Sequence, residues 1–312
     1  MSYKNSIKLL TSNFSLVWKQ LCYMLIVCLA FVGIGYGFAL PTIDLLTQHG
    51  VIKDFSLIFE TIYTAPKDVI TAVSDAFLNL TNVVTANFGK IWLSLLSTTI
   101  IIRLCYTLLK NISFYNLASV MHYQLTCFVN VGYTRNLIST LGQSIKYAFA
   151  KLVYTLPFTL LKLLIVYAYF KLAVTPILIF TGLFIVSLGL ILLSSLELTL
   201  FTGYTGYIFE QNGNCSVFKA FFKGNVHVFK KFPKVFSNAV ISTLTIIVVN
   251  IFLGIFTLGV GLLITLPATM LFKAIFELCT YFGVKGERYY LSSTTIATPL
   301  KTAENENVNN IR

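Results

Sequence analysis

The chain has 312 residues, 56% of them apolar and 11% charged, with a formal net charge of +12 at pH 7. A soluble protein of this size needs roughly a quarter of its residues charged, so the composition excludes an ordinary soluble domain and points to a membrane. The basic residues are spread over four segments beside long apolar runs, which favours anionic lipid headgroups over nucleic acid as their partner.

Apolar runs of about 20 residues, the length of a membrane-crossing helix, recur six times. The N-terminal twenty residues read as an amphipathic helix with Ile7, Leu10, Phe14 and Trp18 on one face. The first span follows from about Leu21 to Leu40, too long for a signal peptide and closed by Pro41. Gly33 and Gly37 within it have the spacing that lets helices approach closely. With Gly35 they do not form a nucleotide loop, because no strand precedes them.

Residues 41–90 form a long outer loop in which Phe55, Ile58, Phe59 and Ile62 recur at helical spacing. So do Val69, Ile70, Val73, Phe77, Leu80 and Val84, after a Pro66 suited to a helix start. Two amphipathic helices are expected there, on the outer membrane surface or as a cap on the bundle. Asn79-Leu80-Thr81 has the form of a glycosylation site, relevant only in a secretory eukaryotic setting. The second span covers about Ile91 to Leu109. No Gly or Pro occurs between Lys90 and Val131, so this helix either extends to about Phe128 or bends at Asn111 into a surface helix.

The third span runs from about Leu152 to Phe170 and the fourth from Pro176 to about Phe209. The fifth and sixth, about Phe236 to Thr257 and Val260 to Phe282, are joined by a turn at Gly259. A basic amphipathic helix precedes each odd span: Ile138, Leu141, Ile145 and Phe149 before the third, and Phe218, Phe222, Val226 and Phe229 before the fifth. Ser144, Ile145, Ala148, Phe149 and Lys151 align with Ser216, Val217, Ala220, Phe221 and Lys223, suggesting three repeats of a surface helix plus a hairpin. Residues 284–312 turn polar and read as a tail, disordered after Tyr290.

Sixteen of the 23 Lys and Arg fall on one side of this plan: Lys4, Lys8, Lys19, Lys110, Arg135, Lys146, Lys151, Lys219, Lys223, Lys230, Lys231, Lys234, Lys285, Arg288, Lys301 and Arg312. Lys53, Lys67, Lys90 and Lys171 fall on the other, with all four Asp in the outer loop. The positive-inside rule then places both termini in the cytoplasm. The expected fold is an all-α, polytopic plasma-membrane protein. Residues 1–20 form an interfacial helix, 21–283 a six-span domain with cytoplasmic loops at 110–151 and 210–235, and 284–312 a cytoplasmic tail.

The segments FKAFFKGNVHVFKKFPKVF (Phe218 to Phe236) and LGIFTLGVGLLITLP (Leu253 to Pro267) carry a resemblance. They resemble a poorly characterised group of six-span Gram-positive membrane proteins, themselves similar to the membrane domain of certain glycerophosphodiester phosphodiesterases. That group has no established activity, and the phosphodiesterase's catalytic barrel and acidic metal ligands have no counterpart here. The resemblance implies a membrane protein without enzymatic activity.

Charges inside spans are the candidate functional residues, since each costs roughly 2.5–3.5 kcal/mol at mid-membrane. They are Arg103, Lys162, Glu197, Lys273 and Glu277. Lys162, nine residues before Lys171, sits roughly 14 Å deep. Arg103, Glu197, Lys273 and Glu277 fall in the inner half, as an anion or headgroup site or a charge relay, or as a within-helix Lys273–Glu277 pair with a snorkelling Arg103. Lys146, Lys151, Lys219, Lys223, Lys230, Lys231 and Lys234 are the expected anionic-lipid contacts. His49, His122 and His227 share no metal-ligand spacing, and the six cysteines form no CxxC pair. No cofactor is implied. The expected role is a non-enzymatic scaffold or accessory subunit engaging anionic lipid and a partner membrane protein or second copy. The alternative is a small transporter or lipid-handling protein using the inner-half charges, with Pro267 as a helix break.

Overall fold

A computed structural model describes residues 2–172, 176–211 and 215–297, apart from the side chains of residues 2, 30–35, 38–39, 95–103, 172 and 176–177. The chain is all-α and 87% helical. Its helices are α1 (Ser2–Ser12), α2 (Ser15–Gln48), α3 (Val51–Thr64), α4 (Val69–Ala86), α5 (Phe88–Cys127), α6 (Tyr133–Ser139), α7 (Leu141–Leu172), α8 (Pro176–Glu210), α9 (Val217–Phe229), α10 (Phe232–Phe256) and α11 (Leu262–Lys285). Strands β1 (Tyr289–Tyr290) and β2 (Ile296–Ala297) pair antiparallel.

Among the described residues, five helices are long and apolar enough to cross a membrane: Pro66–Ala86, Leu141–Lys171, Leu178–Glu210, Phe232–Phe256 and Leu262–Lys285. Tyr3–Ser12 and Ser15–Leu29, bent by 81° at a short break, make a sixth if taken as one broken span.

Several boundaries differ from the sequence reading. Pro41 does not end α2, which continues to Gln48 with the proline inside it. A proline removes one backbone hydrogen bond, and membrane helices tolerate that where neighbouring groups re-satisfy the freed carbonyl. After Leu109, by contrast, the extension alternative of the sequence reading is the one seen: α5 continues to Cys127 without a break at Asn111. Its polar residues Asn111, Ser113, Asn116 and Ser119 are buried, so the helix holds its course by docking rather than by running over a surface. The amphipathic stretch before the third span is no separate helix: α7 is continuous from Leu141. The proposed repeat also fails in register, since Lys151 is buried where its counterpart Lys223 is exposed. Regular structure persists beyond Tyr290 to Ala297, because Tyr289 is buried in the core and accepts a 2.8 Å hydrogen bond from Asn5.

The chain divides into two compact units. One comprises Met1–Val27, Thr107–Thr155 and Ile191–Arg312. Its core joins Leu9, Leu16 and Val17 to the buried faces of α5, α7, α8, α9 and α11. α1 packs along α11, with Tyr3 edge-on to Phe272 and bonded to Thr245 at 2.9 Å. A buried polar network ties α2, α5 and α6 together. Ser113 and Tyr133 both donate to Gln20, Asn116 donates to the Tyr133 carbonyl, and Asn136 donates to Asn116.

Glycines set the closest helix contacts of this unit. The Gly203 hydrogen in the Cβ direction faces Asn225 Oδ1 at 2.6 Å from the Cβ position, and that of Gly224 faces the Gly203 carbonyl oxygen. Paired Cα–H···O contacts of this kind are open only to residues without side chains. Gly206, one turn along α8, leaves room for the Tyr281 ring of α11. The expected close approach in α2 is not seen at Gly37, where nothing lies within 4 Å. Gly33 and Gly35 lie outside the residues whose surroundings are described.

The other unit comprises Cys28–Tyr106 and Leu156–Leu190. Here α3 and α4 form the expected helical pair, with Phe55 edge-on to Phe77 at 5.4 Å and Pro66 opening the turn before α4. Asn79 is engaged by Asp54 and the His49 carbonyl. Phe88, Trp92 and Tyr167 cluster at 4.3–5.9 Å, with the Lys171 ammonium over Phe88. Back in the first unit, the α10–α11 turn is as expected, with Gly259 at φ +89.

Candidate functional site

Three helices of the first unit turn polar stripes inward. Ser144, Tyr147, Lys151 and Thr155 on α7 are buried at helical spacing, as are Ser195, Thr199, Thr202 and Thr205 on α8, and Glu277 and Thr280 on α11. Most of the hydroxyls satisfy themselves against their own helix. Thr155, Ser195, Thr199 and Thr202 each donate to the carbonyl four residues back, at 2.7–2.8 Å. Small residues tied off in this way keep the helices close at little polar cost.

The charged members of these stripes meet. Lys151 Nζ lies 3.9 Å from Glu277 Oε1, and Glu277 as a residue is only 2% exposed. The ammonium donates to Tyr147 Oη at 3.0 Å and sits 3.6 Å above the centre of the Phe114 ring, with the Phe201 ring at 4.9 Å. Tyr147 Oη is 2.8 Å from Thr205 Oγ1. Glu197 and Lys273 are close enough to act electrostatically on both members of the pair. A charge is retained in such surroundings only when a counter-ion, hydrogen bonds or aromatic faces replace its water. Lys151 has all three.

The expected site therefore comes together in part and with a different partner. Glu197, Lys273 and Glu277 belong to one unit, whereas Lys162 and the backbone of Arg103 belong to the other. The Arg103 side chain lies outside the described residues. Lys151, expected at lipid headgroups, is instead buried against Glu277. It falls on the inward stripe of α7, two turns from Ser144, while its neighbours Phe149 and Val153 face outward. The i, i+4 pair Tyr147 and Lys151 was the available signal, obscured by treating this stretch as a surface helix. Of the other expected lipid contacts, Lys146, Lys219, Lys223, Lys230 and Lys234 are exposed. Lys231 is half-buried and donates to the Val284 carbonyl at 2.7 Å, which caps the end of α11.

His122, on α5 beyond the second predicted span, packs against Phe209 and Phe282 with Nδ1 buried and unpaired. Burial lowers its pKa from 6.5 to about 4. The neutral ring is favoured in the folded protein, so between about pH 4 and 6.5 the unfolded chain binds more protons. Stability present above 6.5 is thus lost as pH falls through this window. Allowing for partial exposure, the loss is roughly 2 kcal/mol by pH 4. Thermal unfolding of wild type and His122→Phe across pH 4–7 should show this acid-side decline diminished in the variant.

No protein-family model, curated protein or solved structure matches this chain.

Proposed function

We propose that the protein is a six-span component of the plasma membrane with both termini cytoplasmic, acting as a non-enzymatic scaffold or accessory subunit that engages anionic lipid and a partner membrane protein or second copy. α2, α5, α7, α8, α10 and α11 are the spans in this reading. The 14-residue α3 is only about 21 Å long and too short to return the chain across a bilayer, so the α3–α4 pair lies together on the outer side. The 81° bend between α1 and α2 suits a helix in the interfacial plane that leads into a crossing one. Membership of the six-span group resembled by Phe218–Phe236 and Leu253–Pro267 is part of the same proposal.

The observation that carries the lipid reading is a set of uncovered apolar faces beside lysines. Trp18 is 52% exposed, Ile138 72% and Phe222 69%, and Phe149, Phe218, Val226 and Phe229 are also exposed. Exposed Lys19, Lys146, Lys219, Lys223, Lys230 and Lys234 stand near them in sequence. Phe229, Phe232 and Phe236 stack in series at 5.4–5.7 Å, an aromatic ladder interleaved with lysines. This combination matches the chemistry of the headgroup boundary.

The test is native mass spectrometry of the full protein extracted mildly from mixed phosphatidylglycerol and phosphatidylcholine bilayers. At about 1 kcal/mol per lysine near an anionic surface, neutralising Lys219, Lys223, Lys230 and Lys234 together is expected to lower retained phosphatidylglycerol at least about tenfold. Equal retention of both lipids by wild type contradicts the reading. A co-purifying stoichiometric protein would identify the subunit it serves.

A second reading, a small transporter or lipid-handling protein, is favoured by the buried Lys151–Glu277 pair. It requires substrate flux that is lost in Glu277→Gln while the fold survives.

A further inference from the structure

Between Lys234 and Lys273 the chain carries no charged residue, so the α10–α11 hairpin has no ionic group to hold its turn in water. Phe252, Ile255, Phe256, Leu258, Val260 and Leu263 stand exposed around that turn, Leu258 at 85%. Leu258 also has φ +51, the left-handed region that costs a branched apolar residue more than glycine or asparagine. So exposed a side chain gains little from packing within the protein, and the fold alone does not account for a leucine held there. The turn between α3 and α4, by contrast, presents exposed Lys67 and Asp68.

The polar groups of this tip are closed among themselves. Each of the nine N–H groups from Thr257 to Thr265 has a partner inside the hairpin, at 2.6–3.3 Å. Eight donate to backbone carbonyls, and Gly261 donates to Thr257 Oγ1, whose own hydroxyl donates to the Leu253 carbonyl. From Ile246 to Thr269 the remaining polar side chains are Asn250, Thr265 and Thr269. Thr265 donates to Asn250 Oδ1 at 2.6 Å, while Asn250 Nδ2 donates to the Ile246 carbonyl at 2.7 Å and to Thr269 Oγ1 at 3.2 Å. A turn at a wet surface can leave some of these groups to water, whereas hydrocarbon requires that they be met internally.

We propose that the α10–α11 turn is a lipid-immersed tip whose partner is the acyl chains of the outer leaflet. This rests on the six-span reading above, in which α10 starts at the cytoplasmic boundary, and refines it: the fifth and sixth spans meet inside the bilayer instead of emerging into water. The length of α10 fits. The stretch from Phe236 to Phe256, 20 residues on, rises about 30 Å, the thickness of the hydrocarbon core. A helix tilt of about 30°, within the usual range, shortens that rise by about 4 Å and leaves room for the turn.

Single-tryptophan fluorescence of the full chain in phosphatidylcholine bilayers with brominated acyl chains is the test. Trp18→Phe and Trp92→Phe together remove the native probes, and Phe256→Trp or Val260→Trp then places one at the tip. Trp92→Phe alone leaves Trp18, which reports whether the protein meets lipid at all. Expected is loss of most tip emission to the acyl-chain bromines and no loss to aqueous iodide. Iodide quenching at the tip, with Trp18 still quenched by lipid, would mean that the turn emerges into water; it overturns the proposal and leaves the membrane reading standing. A tip shielded from both quenchers is covered by protein, which also overturns it. If neither Trp18 nor the tip is quenched by lipid, the membrane reading fails and the proposal with it. Hydrogen–deuterium exchange of the unaltered protein in the same bilayers needs no variant to fold. Amides 257–265 should exchange at least about tenfold more slowly than those of the α3–α4 turn, and equal rates contradict an immersed tip.

Discussion

Gly224→Ala is expected to destabilise the first unit by about 3 kcal/mol, the upper part of the usual overpacking range. A methyl at this position would collide with the Gly203 carbonyl oxygen and crowd Tyr207 Cβ at 2.9 Å. A backbone atom cannot rotate away as a side chain can, so α9 would have to lift from α8 and the buried Ala220 and Val228 would lose their packing. Gly203→Ala should behave similarly, since its methyl would lie 2.6 Å from Asn225 Oδ1 and 2.9 Å from the Gly224 carbonyl carbon. Gly283 supplies the control. It is helical and exposed with nothing within 4 Å, so Gly283→Ala should stabilise by about 0.5–1 kcal/mol through helix propensity alone. Thermal unfolding in detergent separates the three variants, and a Gly224→Ala midpoint equal to wild type would contradict the α8–α9 contact.

Lys151→Met should cost about 3–5 kcal/mol, because it leaves the Glu277 carboxylate buried without its counter-ion. Glu277→Leu should cost a similar amount by stranding the ammonium. The double variant Lys151→Met/Glu277→Leu is expected to recover most of the loss and to approach wild-type stability, since apolar replacement of a buried pair is often neutral. The recovery should be partial, because the buried Tyr147 hydroxyl would lose the ammonium that donates to it. A double-mutant cycle read by unfolding midpoints yields the coupling. Additive losses would mean that the two residues do not act on one another.

The features most legible in the sequence were those set by composition and period. Membrane character, the α3–α4 pair opened by Pro66, the Gly259 turn and the faces of α9 followed from apolar run length, helical spacing and turn chemistry. Phe218, Phe222, Val226 and Phe229 are exposed as expected. The misplaced features depend on what a helix packs against. Pro41 looked like a terminator because proline breaks isolated helices, whereas α2 passes through it. Lys151 looked like one more basic residue beside a span, because charge counting cannot tell a lysine on the outward stripe of α7 from one on the inward stripe. The glycine contacts were sought at Gly33 and Gly37, where the GxxxG spacing is familiar. Gly37 has nothing within 4 Å, and among the described residues the closest packing is at Gly203, Gly206 and Gly224, which are joined by tertiary proximity alone.

Site-directed spin labelling along α9 in phosphatidylglycerol-containing bilayers tests the membrane-surface reading most directly. Labels at Phe218, Phe222, Val226 and Phe229 should collide preferentially with dissolved oxygen, and labels at Lys219, Lys223 and Lys230 with a water-soluble nickel complex. The helical alternation between the two would place α9 in the interfacial plane with its apolar face in the acyl boundary. Uniform accessibility to nickel at all seven positions would mean that this face meets water, and the account of α9 as a membrane-lying helix would be wrong.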